Sequence, residues 1–481
     1  MQSVLTNLLL LGICALGAAF QVKRMHPIAG SLALISPSVI FLVGIAGRYG
    51  LGGLIMALTP RRLVLEGELD QYIVSWRYNS ETAGLWIAYI GCIVMLLWLL
   101  SRVVGLCKLE IQPKRNKKSV FGMWSAIKTG EKGSPRIFQA LVLVIAGIFA
   151  IGSLMAAWTG SLDRGSLYNY WAAKQFRPES AFIAFSRIKQ IAYFLIPASL
   201  VGAKKEIKSL VLILASIPLV AESLAGGRGS VLYPAVMLML GWITIERSKK
   251  LVVMALTLSL MLGAISVPYI AAYRDSEAFQ QTNHRDVIGR VTSIFSGVSN
   301  ERLIYRFQAL GREMYACSDS FLFVPSNAKH LGAGFKDINI GFAKELLLPR
   351  WLSDNKSLEK FDGSGIAQKL IGTKRSTWFP CISTSGDLWR RGAYISLIAG
   401  GCFMGCVLFG LDYGWAQIGS RYGGTGGVLI TLLPVSYIQS GLFGTIREMF
   451  WQLSWDLPKY LVLCILLSLT VQGIRWRRQN G

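Results

Sequence analysis

The sequence predicts an all-α polytopic membrane protein of about eleven transmembrane helices, with one large extracytoplasmic loop that contains amphipathic helices. Three observations predict it. The chain of 481 residues is 53% hydrophobic and only 16% charged, where soluble domains carry roughly 25% charged residues. Apolar runs of the length needed to cross roughly 30 Å of hydrocarbon recur at 3–20, 28–48, 84–106, 137–159, 189–203, 209–225, 231–245, 251–271, 393–411, 426–444 and 457–473. Lysines and arginines gather in alternate loops between these runs, the pattern that marks cytoplasmic loops.

Taken in order, the first run has no basic residues ahead of it and is followed by Val22-Lys23-Arg24. That arrangement fits a span with its N-terminus outside better than a cleaved signal peptide. After the second run, Leu51 to Leu58 is apolar but too short to span, so it is expected to lie on the membrane surface or dip into it. The loop Lys108–Arg136 holds eight basic and two acidic residues, including Lys114-Arg115-Asn116-Lys117-Lys118. With eleven spans alternating, the cytoplasmic side also receives Lys23-Arg24, Lys204-Lys205, Arg247-Ser248-Lys249-Lys250 and the tail Arg475-Trp476-Arg477-Arg478. The fifth and seventh runs are the shortest that this alternation uses. The chain thus divides into an N-terminal bundle (1–271), a large extracytoplasmic loop (272–392) and a C-terminal bundle (393–481), with a cytoplasmic C-terminus.

The large loop, Ala272 to Gly392, is the one long polar stretch, with 17 basic against 12 acidic residues. Arg61, Arg62, Arg77, Arg164, Lys174 and Arg177 lie in other outside loops. Two readings stand: long loops cross regardless of charge, or the surplus lines an outward basic cavity for phosphate groups, which arginine pairs bidentately. Asp286–Val298 and Asn300–Tyr315 have the spacing of amphipathic helices, with Leu303, Ile304, Phe307, Leu310 and Met314 on one face of the second. They would pack on the membrane surface as a lid or simply within the protein.

Gly226-Gly227-Arg228-Gly229-Ser230 joins the sixth and seventh runs. Its glycines permit a tight turn, Ser230 is placed to cap the next helix, and a helix N-terminus beside an arginine suits an anion. The plainer alternative is a turn whose arginine reaches toward lipid headgroups. The eighth run ends in Tyr273-Arg274-Asp275, which sets Arg274 at the same membrane level as Arg228. Of the eight cysteines, Cys317 and Cys381 share the loop and could form a disulfide if it is periplasmic, the alternative being free cysteines, while no cysteine or histidine cluster has metal-ligand spacing. No Asp-x-Asp or Walker-type motif is present, so neither metal nor cofactor is expected. The formal charge of +24 does not signal a nucleic-acid partner, because the basic residues are split between the two membrane faces.

At the end of the loop come Leu348-Pro349-Arg350, Asp354-Asn355-Lys356 and Thr384-Ser385-Gly386-Asp387-Leu388-Trp389-Arg390-Arg391-Gly392. With the Gly-Gly-Arg-Gly hairpin and the Tyr-Arg helix end, these make the chain resemble the oligosaccharide repeat-unit (O-antigen) polymerase family of bacterial inner-membrane glycosyltransferases, over roughly residues 220–410. Two departures are Asp387 where glutamate is usual, and Ser357 where a proline usually follows the lysine. The resemblance implies an enzyme that moves a growing glycan from undecaprenyl diphosphate onto another lipid-linked repeat unit, without nucleotide sugar, metal or cofactor. It implies as partners the undecaprenyl-diphosphate-linked oligosaccharide, membrane lipid, a chain-length regulator and a flippase. Arg228 and Arg274, supported by Arg350, Arg390 and Arg391, would stabilise the departing diphosphate. Asp387, His284 or His330 would serve as the base toward the acceptor hydroxyl, although Asp387 is equally placed to pair with Arg390. The alternatives are an O-antigen ligase-like transferase or a transporter of lipid-linked saccharides. Transporters place charges in mid-membrane and show related halves, whereas Glu222 is the main acid within the runs here.

Overall fold

A computed structural model of the chain describes residues 1–59, 76–106, 136–158, 189–224, 229–245, 249–274, 276–277, 279, 286–308, 310–311, 324–327 and 383–421. Every regular element among them is a helix. The principal ones are α1 (Gln2–Ala29), α2 (Pro37–Leu58), α3 (Trp76–Leu106), α4 (Arg136–Trp158), α5 (Lys189–Leu200), α6 (Lys205–Leu224), α7 (Gly229–Ile245), α8 (Lys249–Arg274), α9 (Val287–Ser296), α10 (Asn300–Gln308) and α11 (Thr384–Arg421). Five stretches among the described residues are long and apolar enough to cross a membrane: Gln2–Ala29, Pro37–Leu58, Asn79–Val103, Lys205–Leu224 and Thr384–Ser420. The expected runs at 426–444 and 457–473, and the residues Cys317 and Cys381, lie outside the described residues. The chain divides into two compact units, one of Met1–Lys114, Gly311–Ile418 and Leu433–Gly481, the other of Arg115–Leu310 and Gly419–Leu432.

In the first unit α1 shows how these helices are patterned. Its buried side is Ser3, Asn7, Leu10, Cys14, Gly17, Gln21 and Met25, spaced three and four apart as one helical face requires. Its exposed side carries Leu5, Leu8, Leu9 and Leu16. Small and polar residues inward with leucines outward is the reverse of a water-soluble helix, and it suits a lipid surround in which close backbone packing holds helices together. At Gly17 a Cβ would come 2.7 Å from a methyl of Val94 on α3, so only glycine lets the helices approach this closely. Asn7 donates to the Asn79 side chain at 3.2 Å near the start of both helices, and Arg24 donates to Ser101 near their other end. The two helices therefore run parallel, with about 25 Å between the two polar contacts on α1.

Two expectations are corrected here. The first helix does not stop at Lys23-Arg24: α1 continues to Ala29, with Arg24 held by protein partners. Its Nη2 lies 3.5 Å from Asp412, and its guanidinium stacks 5.0 Å from the Phe409 ring centroid. The second apolar helix starts at Pro37, later than the expected run at 28–48. A short 3-10 turn, Gly30–Ile35, follows α1, and the stretch Leu51–Leu58 is the continuation of α2 through a π turn at Ala46–Leu51, not a separate surface segment. Asp412 also holds the start of α2, accepting from the Ser38 backbone N–H at 3.1 Å and its hydroxyl at 2.6 Å. It thus caps a helix whose own N-cap, Ser36, makes no side-chain capping bond. Within the same unit Trp86 of α3 packs on Tyr49 of α2 at 4.3 Å between ring centroids.

In the second unit α5 lies against α7, α6 against α4, and α7 against α8. The α5–α7 contact depends on Gly241, where any Cβ would collide with the Phe194 carbonyl oxygen. The outer faces of α4, α6 and α8 are again apolar, with Ile148, Ile151, Ile213, Met254, Leu258, Met261 and Ile265 exposed. The two amphipathic helices of the loop form at Val287–Ser296, slightly shorter than the expected 286–298, and at Asn300–Gln308, with 310–311 also helical and the rest of the expected 300–315 outside the described residues. Asp286 sets the start of α9 by accepting the Gly289 N–H at 2.8 Å.

Candidate functional site

Of the residues that the sequence singled out, Asp387, Arg390 and Arg391 come together in the first unit, and Arg274 ends α8 in the second. In the second unit the ends of α6 and α8 meet. The Tyr273 hydroxyl reaches the Leu224 carbonyl at 3.5 Å and the Ser293 hydroxyl at 3.2 Å. Leu224 closes α6 just before the Gly226–Ser230 hairpin, and Tyr273 is followed at once by Arg274, the last residue of α8. In sequence, Leu224 precedes Arg228 by four residues and Tyr273 precedes Arg274 by one. Arg228 itself lies outside the described residues, as do His284, His330 and Arg350. Helix α7 begins at Gly229, so Ser230 is its second residue and not its N-cap.

An arginine that sequence reasoning missed belongs to this cluster. Arg290 on α9 is buried, at 6% exposure. Its Nη1 donates to the same Leu224 carbonyl at 3.1 Å, and its guanidinium stacks 5.0 Å from the centroid of the Phe279 ring. Phe279 in turn packs edge-on against Tyr273 at 5.1 Å. One backbone carbonyl thus collects a tyrosine from α8 and an arginine from α9, and an aromatic pair covers the guanidinium. The signal for Arg290 was present in its spacing from Ser293, which puts both on one side of α9, opposite Ile288 and Phe295.

In the first unit the segment Ser383–Arg391 is buried along its whole length. Ser383 caps the start of α11 by accepting the Gly386 N–H at 3.3 Å, and its hydroxyl lies 3.2 Å from that of Ser385. Asp387, fully buried in the first turn of α11, binds Arg390 Nε at 2.6 Å and Arg391 Nε at 3.2 Å. The helix N-terminus adds favourable potential for this carboxylate. One carboxylate and two guanidiniums leave these three side chains with one positive charge in total. Of the two roles open to Asp387, the structure displays the ion pair. Trp389, also buried, has an indole N–H without a hydrogen-bond partner among the described residues.

This segment is set by a reversal in the chain. Gly392 (φ −170°, ψ 33°) and Ala393 (φ 49°, ψ −138°) break α11 into a short first helix and a long second one. In an uninterrupted helix, Leu388 and Gly400 would be about 18 Å apart. Here a Cβ on Gly400 would lie 2.6 Å from the Leu388 Cδ2 atom. The short helix is therefore folded back onto the long one. The long helix is anchored in turn by close approach to α3, where Gly401 faces the Tyr89 carbonyl and Cys92. A non-glycine residue at positive φ stores strain of about 1–3 kcal/mol, held by the surrounding packing.

The loop also meets this unit at Val324–Asn327, where the Ser326 N–H donates to Glu81 Oε2 at 3.0 Å. Among the described residues no three His, Cys, Asp or Glu side chains come together as metal ligands. No protein-family model, no curated protein and no solved structure matches the chain.

Proposed function

We propose that this chain is a polysaccharide polymerase of about eleven spans in the bacterial inner membrane, joining undecaprenyl-diphosphate-linked repeat units at the membrane's outer face. The observation that supports the reading is the convergence of Tyr273 and the buried Arg290 on the Leu224 carbonyl, four residues before Arg228 and beside the residue that precedes Arg274 in sequence. A lipid diphosphate is the anion that a cationic cluster at the end of membrane helices suits best. In the reaction the anomeric C–O bond to the diphosphate breaks, a new C–O bond forms to the acceptor hydroxyl, and the hydroxyl proton passes to a base. Preorganised guanidiniums stabilise the charge that develops on the departing diphosphate. With both oxygens of Asp387 already bound by Nε–H donors, that residue serves best to position Arg390 and Arg391. The proton then falls to His284 or His330.

The test is glycan chain length in a deletion strain complemented with the wild-type gene or with variants. The deletion is expected to leave single repeat units, and the wild type to restore long chains. Arg228→Ala and Arg274→Ala are each expected to abolish long chains at unchanged protein level and membrane insertion. Normal chain length with both variants would overturn the diphosphate site. Full-length glycan remaining on the lipid carrier in the deletion strain would favour a ligase over a polymerase.

A further inference from the structure

Helix α9 is built inside out. Its inward side holds Arg290 and Ser293, at 6% and 7% exposure, while Ile288 and Phe295 on the outward side are 81% and 78% exposed. Val291 is exposed beside them. A ten-residue helix bathed in water would turn these faces the other way.

The hydroxyls on its outer surface are satisfied without water. Thr292 Oγ1 donates to the Ile288 carbonyl at 2.9 Å, and Ser296 Oγ to the Thr292 carbonyl at 2.9 Å. Such back-bonding to the preceding turn is how hydroxyl side chains are accommodated in hydrocarbon.

The helix is fastened at the ends of two apolar helices. Arg290 bonds to the end of α6, while the Tyr269 and Tyr273 side chains of α8 reach the Ile294 carbonyl at 2.6 Å and the Ser293 hydroxyl at 3.2 Å. Along α8, the exposed residues Met254, Leu258, Met261, Leu262 and Ile265 form the apolar strip that leads up to these tyrosines. At about 15 Å, α9 is too short to span a bilayer. Tyrosines near the end of an apolar helix mark the level of the lipid headgroups.

We propose that α9 is an interfacial helix, with Ile288, Val291 and Phe295 sunk into the acyl chains of one leaflet at the end of α8. Lipid is the occupant that matches an apolar outer face, hydroxyls bonded back to their own helix, and continuity with the apolar strip of α8. Through Arg290 the same helix presents its polar side to the Leu224–Tyr273 cluster. The proposal goes beyond the polymerase reading and does not depend on which anion that cluster binds.

The experiment places a photoreactive benzophenone amino acid at single positions of the full-length chain in native membranes. Ile288→benzoylphenylalanine and Phe295→benzoylphenylalanine are the test sites. Glu301→benzoylphenylalanine, exposed in the first turn of α10, is the water-facing reference. On irradiation, phospholipid adducts detected by mass spectrometry are expected at positions 288 and 295, with a yield at least about tenfold above that at 301. The factor corresponds to about 1.4 kcal/mol of preference for the acyl phase, less than burial of one large apolar side chain supplies. Crosslinks to protein alone at 288 and 295, no adduct at either, or equal lipid yields at all three positions would each overturn the proposal. Glycan length measured with the same variants separates this outcome from the polymerase reading, which predicts long chains wherever Arg290 and its partners are intact.

Discussion

Arg290 and Arg390 are both buried arginines, yet their surroundings differ in kind. Arg390 shares Asp387 with Arg391, while Arg290 is seated on a backbone carbonyl and an aromatic ring. Removing the shared carboxylate leaves two buried guanidiniums facing each other, so Asp387→Asn is expected to cost about 3–5 kcal/mol. A fall in the unfolding midpoint of the detergent-solubilised protein would show it. For Arg290→Ala, the polymerase reading predicts a drop in long-chain glycan of about tenfold or more, as loss of a hydrogen bond from a charged donor is worth roughly 1.5–3 kcal/mol. Glycan length in the complemented deletion strain measures that. The sequence displayed Asp387, Arg390 and Arg391 openly, because three charges at i, i+3 and i+4 on one helix must meet. Arg290 was harder to see: Leu224 and Phe279, two of its partners, carry no charge, and only its spacing from Ser293 marked the inward side of α9.

Helix positions were legible where apolar length decided them, and illegible where a distant partner did. The apolar runs at 84–106, 137–159 and 209–225 fall on α3, α4 and α6 with ends shifted by a few residues. The end of α1 was not legible, since Lys23-Arg24 marks a boundary only if those charges need water, and Arg24 is satisfied by residues from α3 and α11. Nor was the fold-back of α11 readable, because Gly392 permits it but only the packing of Leu388 onto Gly400 enforces it. For the α5–α7 contact the expectation is sharp. Gly241→Ala sets a methyl against the Phe194 carbonyl oxygen, a backbone atom with little room to retreat. A cost of about 1–3 kcal/mol is expected, read as reduced monodisperse yield and a lowered unfolding midpoint.

Across the first compact unit, polar contacts concentrate at two levels joined by apolar helix. Asn7 and Asn79 meet at one level; Arg24, Ser38, Ser101 and Asp412 meet at the other. Their separation of about 25 Å along α1 is close to the roughly 30 Å of a bilayer's hydrocarbon. If the lower cluster works as a matched set, breaking it from one side is worse than removing both charges. Asp412→Leu alone should destabilise by about 3–5 kcal/mol, and the added change Arg24→Met should recover a measurable part of that loss. Thermal unfolding of the four variants in a double-mutant cycle supplies the coupling. A sum of single effects would remove the pair from the account of stability.

The distance along the chain between Ser38 and the carboxylate that caps its helix, 374 residues, also has a cost in time. At about 5–20 residues per second of synthesis, the ribosome takes roughly 20–75 s after adding Ser38 before Asp412 exists. Throughout that interval Arg24 lacks its counter-ion, and the start of α2 lacks its cap. The Arg24 end of the first helix pair is therefore incomplete until residue 412 is made. A nascent chain that stalls before residue 412 would keep this end exposed, where quality-control proteases find it. A helix made late thus completes the first.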